Sequence, residues 1–309
     1  MNVYSHLDSL PAFKNSVITI GTFDGVHLGH QKIISRLNAL SEKWSGESII
    51  ITFHPHPRLV INPQDSSLRL LNTIDEKIAL LEKYGIQNVV VVPFSRDFSE
   101  QPAEDYIRKF LVRNFNPIMV VIGYDHKFGK NRTGDYHLLE SMKQELNYEL
   151  EEITKETLDD IAISSTKIRQ SLQNGDVTLA NELLGYPYTI TGTVVRGYQR
   201  GRELGYPTAN ILVNDEFKLI PSTGIYAVKV HVRDAVYNGM LSIGYNPTLS
   251  GKTQTVEVNI LDFKGDIYGD NITIEMVEYL RGEIKFSSVP ELIEAIKKDE
   301  EKTRQVFSS

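Results

Sequence analysis

The stretch GTFDGVHLGH, residues 21–30, holds three glycines, one aspartate and two histidines three apart. It follows the apolar run Val17–Ile20 and precedes Gln31-Lys32-Ile33-Ile34. Glycine lets backbone approach a ligand closely, and a helix that begins here offers free N–H groups at its positive end. His27 and His30 flank Gly29 at that start. Imidazoles beside helix-end amides suit an anion, and a triphosphate is the natural candidate. As donors they stabilise charge building up on a phosphoryl group and its leaving pyrophosphate. The same residues also read as a glycine turn with a histidine near a helix N-terminus. Thr52-Phe53-His54-Pro55-His56-Pro57 leaves the next apolar run, so a second histidine pair emerges on the same rim. Four histidines there also suit a metal-dependent hydrolase. The nearby Asp and Glu residues have no metal-ligand spacing, which favours phosphate.

Four further stretches carry chemistry. Gly123-Tyr124-Asp125-His126-Lys127-Phe128-Gly129, with Thr133-Gly134-Asp135, mixes aromatic, acidic and glycine residues as a planar ring or a ribose requires; it also reads as a connecting loop. Ser164-Ser165-Thr166-Lys167-Ile168-Arg169 supplies helix caps or, with its two cations, a second anion site. GRELGYPTAN, residues 201–210, again suggests phosphate. In an extended segment Thr208 and Asn210 project to one side, where a hydroxyl and an amide oxygen can orient Mg²⁺ and phosphates. The alternative is an Asn-rich turn. In TVEVNI, residues 255–260, alternation puts Val256, Val258 and Ile260 on one face and Glu257 with Asn259 on the other. Pattern alone makes that second face solvated; a functional reading makes Glu257 a carboxylate that accepts a proton from an attacking hydroxyl. Gly251-Lys252-Thr253 is not a P-loop, because Asn246 stands where the first glycine is required.

The elements that must position these residues change character along the chain. Apolar runs at Val17–Ile20, 48–53, 88–94, 119–124 and 148–154 alternate with helical patterns after residue 30 and over 75–84, 103–115 and Tyr136–Leu146. Such alternation predicts a parallel sheet covered on both faces, with ligands beyond the carboxyl ends of the strands. Thr73-x-x-Glu76 is a capping box for the helix that Gly85 stops. Short helices follow over 166–173 and Val177–Leu184. After Gly185-Tyr186-Pro187 the period becomes two, over Thr189–Val195, 225–232, 235–243, 255–263 and 271–280, which predicts an antiparallel barrel or sandwich. A helix over 290–306 closes the chain. The expected organisation is α/β over residues 1–184 and all-β over 185–309.

The chain has 309 residues, enough for two domains. A net charge of −7 without a strongly basic region disfavours nucleic acid. The absence of cysteine excludes disulfides, thiolate zinc sites and iron–sulfur clusters and fits the cytoplasm. The N-terminus lacks a signal-peptide pattern, and no apolar run approaches a membrane span.

In this order, GTFDGVHLGH, TFHPHP, the 123–135 loop and SSTKIR resemble the adenylyltransferase half of the prokaryotic bifunctional riboflavin kinase/FAD synthetase family. His27-x-Gly29-His30 resembles the HxGH element of the wider nucleotidyltransferase superfamily. GRELGYPTAN is similar to the PTAN element of riboflavin kinases, supported by GIYA at 224–227, SIGYNPT at 242–248, VEV at 256–258 and Arg281 through Lys285-Phe286. The resemblance implies a Rossmann-like nucleotidyltransferase domain and a six-stranded antiparallel Greek-key β-barrel with a terminal helix. It assigns Gly21, Phe23, Asp24, Gly29 and His30 to ATP phosphates, with His27 and His30 catalytic. Ser164, Ser165, Thr166 and Arg169 grip those phosphates from the opposite side. His54, Pro55, Asp125, His126 and Phe128 take the flavin there. In the second half it gives Gly201, Arg202, Gly205, Pro207, Thr208 and Asn210 to ATP. Thr208 and Asn210 also hold Mg²⁺, Arg281 meets flavin, and Glu257 activates the ribityl 5′-hydroxyl. Riboflavin, FMN, FAD and ATP are the implied partners, with weak homo-oligomerisation and neither nucleic acid nor membrane. The chain departs from the family at His126, usually an aromatic, at Gly282, usually a proline, and at Tyr206, usually phenylalanine. His126 also leaves room for a flavin-sensing protein with only one of the two activities.

Overall fold

The computed structural model describes residues 1–65, 67–154, 163–197, 201, 204–248 and 251–308. The chain divides into two compact units, Met1–Ser165 and Thr166–Ser309.

In the first unit, β1 (Asn2–Tyr4), β2 (Val17–Ile20), β3 (Ser48–His54), β4 (Asn88–Pro93), β5 (Met119–Gly123) and β6 (Glu149–Ile153) form one sheet in the order β1-β4-β3-β2-β5-β6. Every pairing is parallel. Helices α1 (Leu28–Lys43), α2 (Pro57–Ile61), α3 (Ile74–Lys83), α4 (Arg96–Ser99) and α6 (Tyr136–Leu146) surround it. Between α4 and α6 runs α5, built from Ala103–Asp105, a π-wound middle Tyr106–Val112, and Arg113–Phe115. Alternate residues of the central strands feed two cores. Ile18, Ile49, Ile51, Val90, Val120 and Ile122 meet Tyr106, Phe110 and Leu139 of α5 and α6. Val17, Ile50, Val89 and Val121 meet Ile34, Leu37 and Leu40 of α1 and Leu81 of α3. Burial on both faces is why these strands read as continuous apolar runs. The chain adds β3 and β4 on one side of β2, then returns to place β5 on the other. The strand order therefore reverses between β2 and β5, the crevice where such sheets bind ligands. GTFDGVHLGH leaves β2 and the 123–135 loop leaves β5 at that crevice.

The second unit opens with α7 (Ser165–Gln173, its first residue in the first unit) and α8 (Val177–Leu184). Strands β7 (Thr189–Val195), β8 (Ala209–Leu212), β9 (Gly224–Val232), β10 (Ala235–Thr248), β11 (Gly251–Ile260) and β12 (Asn271–Arg281) close a barrel in the order β10-β11-β8-β7-β12-β9. The ladders are antiparallel, and two connections, β8 to β9 and β11 to β12, skip neighbours, as in a Greek key. Five strands follow the period-two runs. The sixth is β8, inside the stretch that also read as a turn. Gly251-Lys252-Thr253 opens β11 and no helix, consistent with its rejection as a P-loop. Helix α9 (Val289–Val306), capped by Ser288, ends the unit.

Candidate active sites

Beyond β2 the chain turns through Phe23, Gly25 and Val26, all at positive φ (46°, 86° and 35°). Left-handed backbone costs a non-glycine residue roughly 1–3 kcal/mol, and such strain concentrates at ligand sites. Burial of Phe23 and Val26 holds it in place. Polar clamps add to this. Gln31 Nε2 donates to the Val26 carbonyl at 2.8 Å, and Ser165 Oγ donates to the Asp24 carbonyl at 2.9 Å. The buried Asp24 carboxylate accepts the Leu71 and Asn72 N–H groups at 2.9 and 3.4 Å. Asp24 thus ties the glycine turn to the segment entering α3.

His27 is the N-cap of α1, its Nδ1 accepting the His30 N–H at 3.4 Å. Its proton therefore resides on Nε2. The two rings stack with centroids 3.7 Å apart, and Phe23 lies 5.0 Å from His30. Nδ1 of His30 is sealed from solvent without a hydrogen-bond partner. Burial above all, then His27 and Lys77, holds His30 well below the ordinary imidazole range. It is a neutral imidazole at neutral pH.

His54 ends β3 exposed, followed by a cis bond to Pro55. His56 is buried and caps α2, its Nδ1 accepting the Arg58 N–H at 3.2 Å. The structure thus uses His27 and His56 as caps. Among the described residues, no group of three or more His, Cys, Asp or Glu is placed to hold a metal.

In the 123–135 loop Phe128 is buried, stacking on Tyr106 with centroids 4.9 Å apart and lying 5.6 Å from His126. Phe128 and Gly134 exchange two backbone hydrogen bonds, and a Cβ at Gly134 would stand 2.4 Å from the Phe128 ring. Asp125 is exposed, while Asp135 caps α6 and pairs with Lys127. Nε2 of His126 is sealed and unpartnered. Burial, opposed by Asp125 and aided by Arg132, pushes the His126 imidazole down to about 4. Between about pH 6.5 and pH 4 the unfolded chain therefore binds the proton that the folded chain refuses. Stability present above pH 6.5 is lost as pH falls through that window, by up to about 3 kcal/mol. His126→Phe should flatten this part of the thermal midpoint against pH; an unchanged slope would mean that His126 does not carry it.

Ser164 and Thr166 are exposed, and Arg169 half-buried, at the start of α7.

In the barrel, Gly201 accepts the Leu204 and Tyr206 N–H groups through its carbonyl, and Gly205 stands at φ 82°. A Cβ at Gly201 would meet the Tyr206 carbonyl at 2.3 Å, so the turn requires glycine there. The Pro207 carbonyl accepts Asn259 Nδ2 at 2.7 Å. This leads the chain into β8, where Asn210 pairs directly with Glu257 of β11. Thr208 Oγ1 donates to Glu257 Oε2 at 3.1 Å. Thr208, Asn210 and Glu257 therefore share one corner of the barrel; Val256 and Val258 are buried as alternation required, but Asn259 is buried too rather than solvated, because its amide is tied to the Pro207 carbonyl. Arg202 lies outside the described residues.

Arg281 ends β12 with its guanidinium forked onto Asp299 of α9: Nη2 to Oδ2 at 2.6 Å and Nε to Oδ1 at 2.9 Å. Asp299 is 4% exposed. Removing one member of such a pair leaves a buried charge alone, so Asp299→Ala should cost about 3–5 kcal/mol in denaturant unfolding. A loss below about 1 kcal/mol would show the pair to be solvated instead.

Three residues with a bearing on these sites escaped sequence reasoning. Asp299 and Asn72 carry no pattern signal. Lys77 does: it falls on the stripe of α3 that also buries Leu81.

Known proteins agree with this arrangement. Residues 10–167 match the FAD synthetase family and residues 184–307 the riboflavin kinase family. The bifunctional riboflavin kinase/FMN adenylyltransferase of Listeria monocytogenes is 38% identical over 295 residues, 95% of this chain and 93% of the relative. Its counterpart in Bacillus subtilis is 39% identical over 299 residues, again 95% and 93%. The crystal structure of a macrolide-efflux protein from Streptococcus pneumoniae superimposes with a TM-score of 0.88 at 31% identity, covering 98% of both chains. Among the described residues of this chain, no helix is long and apolar enough to cross a membrane. With relatives this similar along nearly all its length and both family models in order, the chain belongs to the bifunctional riboflavin kinase/FMN adenylyltransferase family.

Proposed function

We propose that this chain phosphorylates riboflavin with ATP to give FMN, and joins AMP from a second ATP to FMN to give FAD and pyrophosphate. The observation that carries the reading is the presence of both families' matches, FAD synthetase and riboflavin kinase, in one chain. Adenylyl transfer is assigned to residues 1–184 and phosphoryl transfer to residues 185–309. The chain acts in the cytoplasm, which its cysteine-free composition fits.

In the first half, His27 and His30 donate to ATP phosphates beside the free amides of α1, and Gly21, Phe23 and Gly29 shape the loop around them. Asp24 holds that loop closed from behind. Ser164, Ser165, Thr166 and Arg169 are further phosphate ligands. His54, Pro55, Asp125, His126 and Phe128 form the flavin end, with Phe128 acting through packing. In the second half, Gly201, Arg202, Gly205 and Pro207 shape the nucleotide turn.

Glu257 takes the proton of the ribityl 5′-hydroxyl as that oxygen attacks the γ-phosphorus. Thr208 and Asn210 would hold Mg²⁺. The donor set fits: both offer hard oxygen, and the Thr208 hydroxyl proton is already committed to Glu257, which leaves its lone pairs to a cation. Bound there, Mg²⁺ neutralises phosphate charge. Arg281 meets the flavin at the end of β12, its guanidinium held in place by Asp299. Both reactions consist mainly of positioning and charge stabilisation, so neither needs a covalent nucleophile.

The test is incubation with ATP·Mg²⁺ and either riboflavin or FMN, with separation of the products. FMN from the first and FAD from the second are expected. Formation of only one product would leave a single-activity protein.

A further inference from the structure

The chain enters β8 at a point where the strand ladder does not hold it. The pairing of β8 with β11 consists of Glu257 with Asn210 and Val258 with Ala209, and β8 itself begins at Ala209. One more antiparallel step would set Asn259 opposite Thr208, and there the ladder stops. The next contact is made by a side chain: Asn259 Nδ2 donates to the Pro207 carbonyl at 2.7 Å. Asn259 is 8% exposed, on the strand face that it shares with Glu257. A primary amide buried there without a partner is costly, so the position requires this hydrogen bond. The backbone of Asn259 is held from its other side, where β11 pairs it with Met240 of β10.

The Pro207 carbonyl and the Thr208 N–H belong to one rigid peptide plane. The pyrrolidine ring fixes φ of Pro207 and leaves ψ as its free backbone rotation. Holding the carbonyl fixes that rotation, and with it the direction in which Thr208 leaves. Thr208 Oγ1 in turn donates to Glu257 Oε2 at 3.1 Å. Two side chains two residues apart on β11 thus grip two consecutive residues, Pro207 and Thr208.

We propose that Asn259 is a positioning residue of the phosphoryl-transfer site: its amide takes over where the β8–β11 ladder ends and sets the Thr208 hydroxyl on Glu257, with the hydroxyl's lone pairs left to the Mg²⁺ of the nucleotide. This rests on the assignment of Thr208 to Mg²⁺ and of Glu257 as the base. It also explains why a side chain that alternation would leave in water is buried.

The experiment uses the full chain and Asn259→Leu, which keeps the approximate size of the side chain and removes the donor. Without ligand, amide hydrogen exchange over residues 204–212 should become about 3- to 10-fold faster, as expected for the loss of one hydrogen bond, while the rest of the barrel exchanges as in the wild type. With riboflavin and ATP·Mg²⁺, kcat should fall about 10- to 100-fold, as for other outer groups that orient a metal ligand, and the Mg²⁺ concentration for half-maximal rate should rise. The KM for riboflavin and the rate of FMN adenylylation should not change. Added to Thr208→Val, Asn259→Leu should alter kcat by less than about 2-fold, because both substitutions disable the same hydroxyl. A merely structural asparagine would add its full effect to that of Thr208→Val and speed exchange across the whole barrel. Asn259→Ser, which removes the amide without adding bulk, replaces the leucine variant if that one does not fold, with the same outcomes expected. Wild-type exchange over 204–212, a wild-type Mg²⁺ response or additive losses would each overturn the proposal. The assignment of Thr208 fails separately, if Thr208→Val alone keeps the wild-type rate and Mg²⁺ response while exchange over 204–212 still rises in Asn259→Leu.

Discussion

His30→Ala is expected to stop FAD synthesis from FMN while FMN synthesis from riboflavin proceeds at the wild-type rate. On the proposed assignment the ring supplies an N–H where charge builds on the phosphoryl group. Removing one such preorganised donor costs about 100- to 1,000-fold in kcat. The fold should survive the truncation. The cap of α1 uses the His30 backbone N–H, which alanine keeps, and no protein group hydrogen-bonds His30 Nδ1. What is lost is the stack on His27 and the contact with Phe23. Given riboflavin and ATP·Mg²⁺, the variant should therefore accumulate FMN and no FAD. A parallel loss of both products would mean that one site serves both reactions, and the division of labour between the halves would fall.

The parallel sheet was legible because β2 to β5 are buried on both faces and so appear as apolar runs between helices. β1 was not: three residues on the sheet edge are too few for a period, and their place comes from pairing with Asn88, Val89 and Val90. The π-wound middle of α5 was hidden for a related reason. One wider turn barely disturbs a helical pattern, and only packing against Phe128 and Phe115 reveals it. In the barrel, β8 offered Ile211 and Leu212 as its apolar residues, while its strand geometry comes from β7 and β11 on either side. The sites show the same division. Spacing placed His27 and His30 at a helix start, and alternation placed Glu257 off the core. That Thr208 would reach Glu257 depends on a register joining residues 49 apart, which no local pattern encodes. Arg281 read through the resemblance as a flavin ligand. Its guanidinium grips Asp299, whose burial exists only once α9 has docked on the barrel.

Glu257→Gln should have the converse effect: no FMN from riboflavin, with FMN still adenylylated at the wild-type rate. The 5′-hydroxyl of the ribityl chain is a poor nucleophile until its proton leaves, and among Thr208, Asn210 and Glu257 only the carboxylate can take that proton. Glutamine keeps the size of the side chain, and its amide oxygen can still accept from Thr208 at the 3.1 Å seen here, so β8 and β11 should stay in register. The variant therefore removes the base and little else. A loss of about 100- to 10,000-fold in kcat is expected for a general base, with the KM values for riboflavin and ATP nearly unchanged. Thr208→Val gives the complementary contrast. It removes the hydroxyl that orients Glu257 and offers lone pairs to a cation, so the concentration of Mg²⁺ needed for half-maximal rate should rise as kcat falls. Were Glu257→Gln to make FMN at the wild-type rate, the proton would have another acceptor, and Glu257 would be reduced to holding Thr208 in place.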